Sequence, residues 1–108
     1  MILEDLLKAN IDISASGDNQ IIAAPGAGKY LAIDHINLIP TSAVTLKFRS
    51  GTTDVSGPYP FDAKQTIALD NAMQGQKGVI TCADNQAFNI NLGSAVQVGG
   101  FCAYRIVG

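Results

Sequence analysis

The only histidine, His35, is the side chain best suited to proton transfer, because imidazole titrates near neutral pH. It follows Asp34 at a point where the apolar alternation of a strand changes phase, which indicates a β-bulge. A bulge can re-aim a side chain toward a cleft. A catalytic triad also needs an activated serine or cysteine, and the sequence has no nucleophile-elbow motif. We therefore predict a strand histidine at a sheet rim or in a subunit contact.

The segment from Ala24 to Tyr30 resembles a phosphate-binding loop, because a lysine follows a glycine after an apparent strand. The P-loop pattern needs glycine where this chain has Ala23, and serine or threonine where it has Tyr30. No helical pattern follows whose N-terminus would hold an anion. The segment is predicted to be a turn, with no bound nucleotide or other cofactor.

The remaining candidates for chemistry are acids and cysteines. Glycoside hydrolysis needs two carboxylates in one cleft, whereas four aspartates lie beside turn-forming residues and are simpler to interpret as turn formers, with a cation or glycan contact as the alternative. These are Asp54, Asp62, Asp70 and Asp84. Neither an EF-hand nor a zinc-binding spacing is present, so no metal is predicted. Cys82 and Cys102 can pair, but reduced, buried thiols are the commoner state in a chain without an export signal.

Composition restricts the function further. A chain of 108 residues has the size of one domain. Charged residues make up 15%, the net charge is −2, and the seven basic residues are scattered, so the basic patch of a nucleic-acid binder is missing. The sequence contains no apolar run of signal-peptide or membrane-spanning length. We predict a binding or structural module, not an enzyme, that is made in a cytoplasm and contacts neither nucleic acid nor membrane.

The first residues carry apolar side chains at i, i+3 and i+4, over barely two helical turns. These side chains are Ile2, Leu3, Leu6 and Leu7. Residues 1–9 are predicted to form either a helical turn that caps the domain's own core or an arm that docks on a neighbouring subunit. The compact domain is predicted to span residues 10–108.

From Asn10 onward, short apolar stretches are separated by Gly, Pro, Asp and Asn, which is typical of strands and turns. The alternation is clearest in Ala43–Ser50 and in Ala87–Leu92. About eight or nine short strands, with turn signals every 8 to 12 residues, predict an all-β fold: an antiparallel β-sandwich of jelly-roll type. Alternation also predicts Phe48, Phe88 and Phe101 in the core.

Tyr59 and Phe61 lie in a proline-rich corner, where Pro58 and Pro60 cannot donate ladder hydrogen bonds. Two exposed aromatic rings would provide an interface anchor or a platform for stacking a sugar. Rings tucked back under the sandwich are the alternative. We predict these two residues, together with Ile2, Leu3, Leu6 and Leu7, as interface residues.

The order of several short motifs is similar to that in small virion proteins of tailed bacteriophages, over nearly the whole chain from Asn10. The motifs are Ser16-Gly17-Asp18-Asn19, Pro25-Gly26-Ala27-Gly28-Lys29, Val44-Thr45-Leu46-Lys47-Phe48-Arg49-Ser50-Gly51, Ser56-Gly57-Pro58 and Val98-Gly99-Gly100-Phe101-Cys102-Ala103-Tyr104. The resemblance implies a jelly-roll domain that decorates or cements a capsid as a homodimer or homotrimer. It also implies the major capsid protein as partner and the capsid surface as location. A carbohydrate- or receptor-binding module of a tail or head fibre is the alternative.

Overall fold

The computed structural model describes residues 6–70 and 78–108 of the chain. Within these residues it is all-β, with ten strands and no helix. The strands are β1 (Leu7–Ile13), β2 (Gly17–Ile22), β3 (Tyr30–Pro40), β4 (Val44–Ser50), β5 (Thr53–Asp54), β6 (Tyr59–Phe61), β7 (Ile67–Asp70), β8 (Ile80–Thr81), β9 (Phe88–Leu92) and β10 (Val98–Val107). No described helix is long and apolar enough to cross a membrane.

The strands form two five-stranded antiparallel sheets. The first sheet has the order β1-β10-β3-β7, with β8 also paired to β3, and the second has the order β2-β9-β4-β5, with β6 also paired to β4. The first strand therefore pairs with the last, the second with the next to last and the third with the third from last, and these three pairs alternate between the two sheets. This nesting is the jelly-roll topology. The predicted fold class is confirmed, with one or two more short strands than expected.

The two sheets enclose one apolar core, which is built from alternating residues of their facing sides. β4 and β9 are buried at every second residue, as their sequence alternation predicts. The fully buried side chains include Ile11, Leu31, Ile33, Ile36, Leu38, Leu46, Phe48, Phe88, Ile90, Leu92, Val98 and Cys102. Each large apolar side chain removed from water contributes roughly 1.5–3 kcal/mol to folding.

The predicted bulge is present in β3. The ladder with β10 pairs His35 with Ala103 and Ile33 with Tyr104, so Asp34 is the extra residue at the register shift. The extra residue lets Ile33 and Ile36 both point into the core, although they stand three positions apart. The phase slip in the sequence is thus confirmed as a bulge.

The N-terminal boundary differs from the prediction. Residues 7–9, which we predict in an arm or helical turn, belong to β1. The reason is visible in the sequence, because Ala9, Ile11 and Ile13 alternate toward the core and the same period of two extends back to Leu7. Of the predicted arm, residues 6–9 are described and only Leu6 precedes β1, whereas Ile2 and Leu3 lie outside the described residues.

Candidate functional site

Three exposed apolar side chains lie near the start of β1. The side chain of Leu6 is 62% exposed, Leu7 is also exposed, and Ile106 is 39% exposed. Leu7 pairs with Tyr104, so Ile106, two residues further along β10, lies at the same end of the sheet. We call Leu6, Leu7 and Ile106 the apolar end patch. Two of the predicted interface residues, Leu6 and Leu7, are therefore available to a partner.

The predicted aromatic corner is largely turned inward. Phe61 is 6% exposed and belongs to the core, where β6 pairs it with Val44. Its ring stacks on that of Tyr59, with centroids 6.3 Å apart, and Tyr59 in turn packs 5.7 Å from Phe48. Tyr59 remains half-buried. Phe61 is thus not available to a partner in this fold, and the pair forms no flat exposed shelf.

His35 lies on the outer face of the first sheet rather than in a cleft. Its Nε2 is 3.3 Å from Nδ2 of Asn37, its Nδ1 is 3.6 Å from a carboxylate oxygen of Asp70, and its ring lies 5.4 Å from Phe101. The ammonium of Lys8 lies 5.0 Å from the centre of the same phenyl ring. Phe101, predicted in the core, therefore belongs to a half-exposed cluster with His35 and Lys8, and that prediction is wrong.

The outer face of the second sheet carries paired charges. Arg49 Nη1 lies 3.0 Å from Asp18 Oδ2, and Lys47 Nζ lies 3.1 Å from Asp54 Oδ2. The side-chain amide of Asn91 donates to Asp18 (2.8 Å), and this bond, together with Arg49, holds the pKa of Asp18 below its ordinary value against the opposing effect of desolvation. These charges neutralise one another, so this face presents a polar surface of little net charge.

The glycine-rich segment and Asp62, two further candidates from the sequence, form turns. The glycine-rich segment forms a turn in which Lys29 donates its backbone N–H to the Gly26 carbonyl (3.1 Å), and β3 follows directly. Asp62 opens another turn, in which its N–H donates to the side chain of Gln65 (2.9 Å). In the described part of the chain, no three His, Cys, Asp or Glu side chains are grouped to hold a metal ion.

An open cleft of about 520 Å³ lies beside the end of β4. It is lined by uncharged side chains: Ser50, Thr52, Thr53, Val55, Thr81, Cys82, Ala83 and Gln86. Ser50 is buried and accepts the Ala83 N–H (2.8 Å), which ties β4 to the segment after β8. Burial raises the pKa of the Cys82 thiol to about 11, so at neutral pH it is a protonated thiol and a poor nucleophile. The lining can donate and accept hydrogen bonds but offers no activated group.

Both cysteines are free and buried, which confirms the predicted state. They lie in different parts of the first sheet's interior, Cys102 within β10 and Cys82 just after β8. Each thiol packs as a small apolar group in the core.

No family model matches the sequence, and no curated protein matches it significantly. Among solved structures, the chain is similar to the coat protein of tobacco streak virus, at 16% identity and a TM-score of 0.46, over 100% of this chain and 89% of that one. A structure described as the coat protein dimer of the same virus is similar at 14% identity and a TM-score of 0.46, over 99% and 88% of the two chains. At this distance, the likeness does not say what this chain binds.

Proposed function

We propose that this chain is a structural protein of a virion that acts by binding and has no catalytic step. Its place is the outside of a phage capsid, where it stabilises the shell as a decoration protein. Its partners are the major capsid protein and further copies of itself. The fold supports the proposal, because jelly rolls are common in viral capsid domains. They also occur in lectins, so the choice between these functions rests on the surface of this chain.

The observation that carries the proposal is the apolar end patch, which holds three of the six large apolar side chains exposed among the described residues. Leu6 and Ile106 are large apolar side chains exposed at one end of the first sheet. In the sequence, Leu6 directly follows residues 1–5, which include Ile2 and Leu3 of the predicted arm. Such a patch is suited to contact with another protein rather than with a small polar ligand.

The charges support the same function. Three of the seven basic side chains, Lys47, Arg49 and Arg105, are held in ion pairs within the domain. Binding to nucleic acid depends on basic side chains that are free to neutralise its phosphates and so release the counterions around them, and these three side chains therefore contribute little to it. A surface of this kind favours contact with protein.

A sugar-binding function has less support. Stacking of a sugar ring needs a flat exposed aromatic face. Phe61 is buried and Tyr59 is half-buried against it, so the corner predicted for this purpose does not offer two rings.

The proposed mechanism is stabilisation by mass action. A protein that binds the assembled shell better than its free subunits shifts the equilibrium toward assembly. Each contact can be weak, because many copies bind one closed shell and an oligomer binds at several points. A small apolar patch on each copy is then sufficient.

The test is co-sedimentation of point variants with phage capsids that have been stripped of accessory proteins. Leu6→Ser removes the most exposed apolar side chain of the patch, and we expect it to leave the protein in the supernatant. Ile39→Ser is the matched control, because Ile39 is also exposed, at 41%, but lies on the outer face of β3. Equal pelleting of both variants and the wild type would contradict a role for the patch.

A further inference from the structure

The edges of the two sheets differ in how they are protected. An open edge strand exposes unpaired N–H and C=O groups, and proteins usually blunt such edges with short strands, proline or bulges. Among the described strands, β5 and β8 have two residues each, β7 has four, and β6 contains Pro60. The ladder of β2 is interrupted by a register shift near its end. These edges carry the usual protection.

β1 lacks these three protections, and its two charged side chains, Lys8 and Asp12, have opposite signs. It is seven residues long, contains no proline and pairs with β10 in an uninterrupted register from Leu7 to Ile13. In the described part of the chain, β10 is its only partner strand, so its other edge is open. A long, regular edge of this kind accepts another strand by backbone hydrogen bonding.

The sequence of β1 is complementary to itself in one register. Two copies of β1 can pair antiparallel about a two-fold axis. Their core-facing residues then stay on the same side of the sheet only if odd-numbered residues stand opposite odd-numbered ones, and even opposite even. With Asn10 opposite Asn10, all seven residues pair. Lys8 of each copy then faces Asp12 of the other.

Other registers that also keep the core-facing residues on one side do not place Lys8 opposite Asp12. Shifting the centre to Ala9 or Ile11 leaves Lys8 and Asp12 without each other, and a larger shift places Lys8 opposite Lys8 or Asp12 opposite Asp12. Opposite charges across a strand pair stabilise it, and like charges destabilise it. Both side chains are exposed, and neither takes part in an ion pair among the described residues.

We infer that β1 is a self-association edge, where two copies pair antiparallel about Asn10 and join their first sheets into one continuous sheet. On the core side, Leu7 then stands opposite Ile13 of the second copy, which covers part of its exposed surface. This inference rests on the proposed function, which includes self-association, and it adds the strand pairing by which two copies associate. Leu6 and Ile106 remain free for the shell.

Charge reversal tests the register. Lys8→Asp or Asp12→Lys alone places two pairs of like charges in the interface, and we expect the dimer dissociation constant to rise at least about tenfold. The double variant Lys8→Asp/Asp12→Lys restores the opposite charges and should restore the dimer. Lys29→Asp and Asp84→Lys, both exposed and outside β1 and its partner strand β10, change the net charge by the same amounts and should have no effect.

The readout is sedimentation equilibrium of the purified chain without capsids, so that a failure here is separate from a failure of shell binding. Circular dichroism checks that each variant folds, because Lys8 also contacts Phe101 and Asp12 accepts a hydrogen bond from Gln97 (2.6 Å). A wild-type monomer, or folded single variants that still dimerise, would overturn the inference. So would a double variant that stays monomeric.

Cross-linking tests the two-fold centre. In the proposed pair, residue 10 faces its own copy, with Cβ atoms about 5 Å apart, so Asn10→Cys should form a disulfide-linked dimer under mild oxidation. Asp12→Cys is the control, because the two copies of that residue are offset by four positions, about 14 Å. The native thiols are buried and do not compete. Equal cross-linking of both variants, or of neither, would contradict this register.

Discussion

Arg105 binds the carboxylate of Asp34 with two hydrogen bonds at the bulge in β3. The distances are 2.5 Å from Nε to Oδ2 and 2.9 Å from Nη2 to Oδ1, and both side chains are mostly buried. Asp34 is the extra residue at the register shift between β3 and β10, and its side chain adds a link to β10 there. The pair therefore holds the bulge to the neighbouring strand.

We expect Asp34→Ala to lower the free energy of unfolding by about 2 kcal/mol, because it leaves Arg105 without this carboxylate in a mostly buried position. Urea denaturation of Asp34→Ala, Arg105→Ala and the double variant gives the coupling energy. The control cycle uses Lys47 and Asp54, which are more exposed and should couple by less than about 0.5 kcal/mol. Equal coupling in the two cycles would show that the bulge pair has no special structural role.

Gly100 of β10 lies close against the backbone of β3. Its φ is +155°, and an added Cβ would lie 2.0 Å from the carbonyl oxygen of Asn37. Gly100→Ala should therefore destabilise the domain by more than about 2 kcal/mol, because backbone must move to admit the methyl group. Gly57→Ala is the matched control, since no atom lies within 4 Å of its added Cβ. Thermal unfolding of the two variants checks this, and similar melting temperatures would contradict the close approach.

Because both thiols are buried, we expect the free energy of unfolding to fall at alkaline pH. Burial raises the pKa of Cys82 and of Cys102 from 9.0 to about 11. Between these values the unfolded chain releases the thiol protons and the folded chain keeps them, so the free energy of unfolding falls as pH rises. The fall is about 2 kcal/mol for each thiol between pH 9 and pH 11.

Urea denaturation at several pH values, under reducing conditions, measures this slope. Cys102→Ala should remove about half of it, after correction for its own effect at pH 7. A slope that is unchanged in the variant would assign the alkaline loss to other groups.

Local features of the fold were predictable because they depend on neighbouring residues. The alternation in β4 and β9 follows directly from side chains at every second position, and the phase slip at Asp34 marks the bulge. The pairing of β1 with β10 joins residues about ninety positions apart. No local pattern encodes such a pairing, so the strand order could not be predicted.

The errors also have local causes. In the sequence, Gly99 and Gly100 indicate a bend, so the last strand is predicted to begin at Phe101. The apolar alternation from that residue then predicts that the ring of Phe101 faces the core. In the structure β10 begins at Val98, so Gly100 and Cys102 face the core and Phe101 faces outward. At the other end of the chain, the spacing of Leu6 and Leu7 fits a helical turn, but β10 provides a strand partner that favours an extended chain from Leu7 onward.

The most direct test of the proposed function is the temperature at which phage capsids release their DNA, measured with and without the purified wild-type protein. Capsids stripped of accessory proteins are heated in the presence of a DNA-binding dye. If the chain is a decoration protein, it co-sediments with these capsids and raises the release temperature in a saturable manner. A protein that stays in the supernatant and leaves the release temperature unchanged would contradict the proposal.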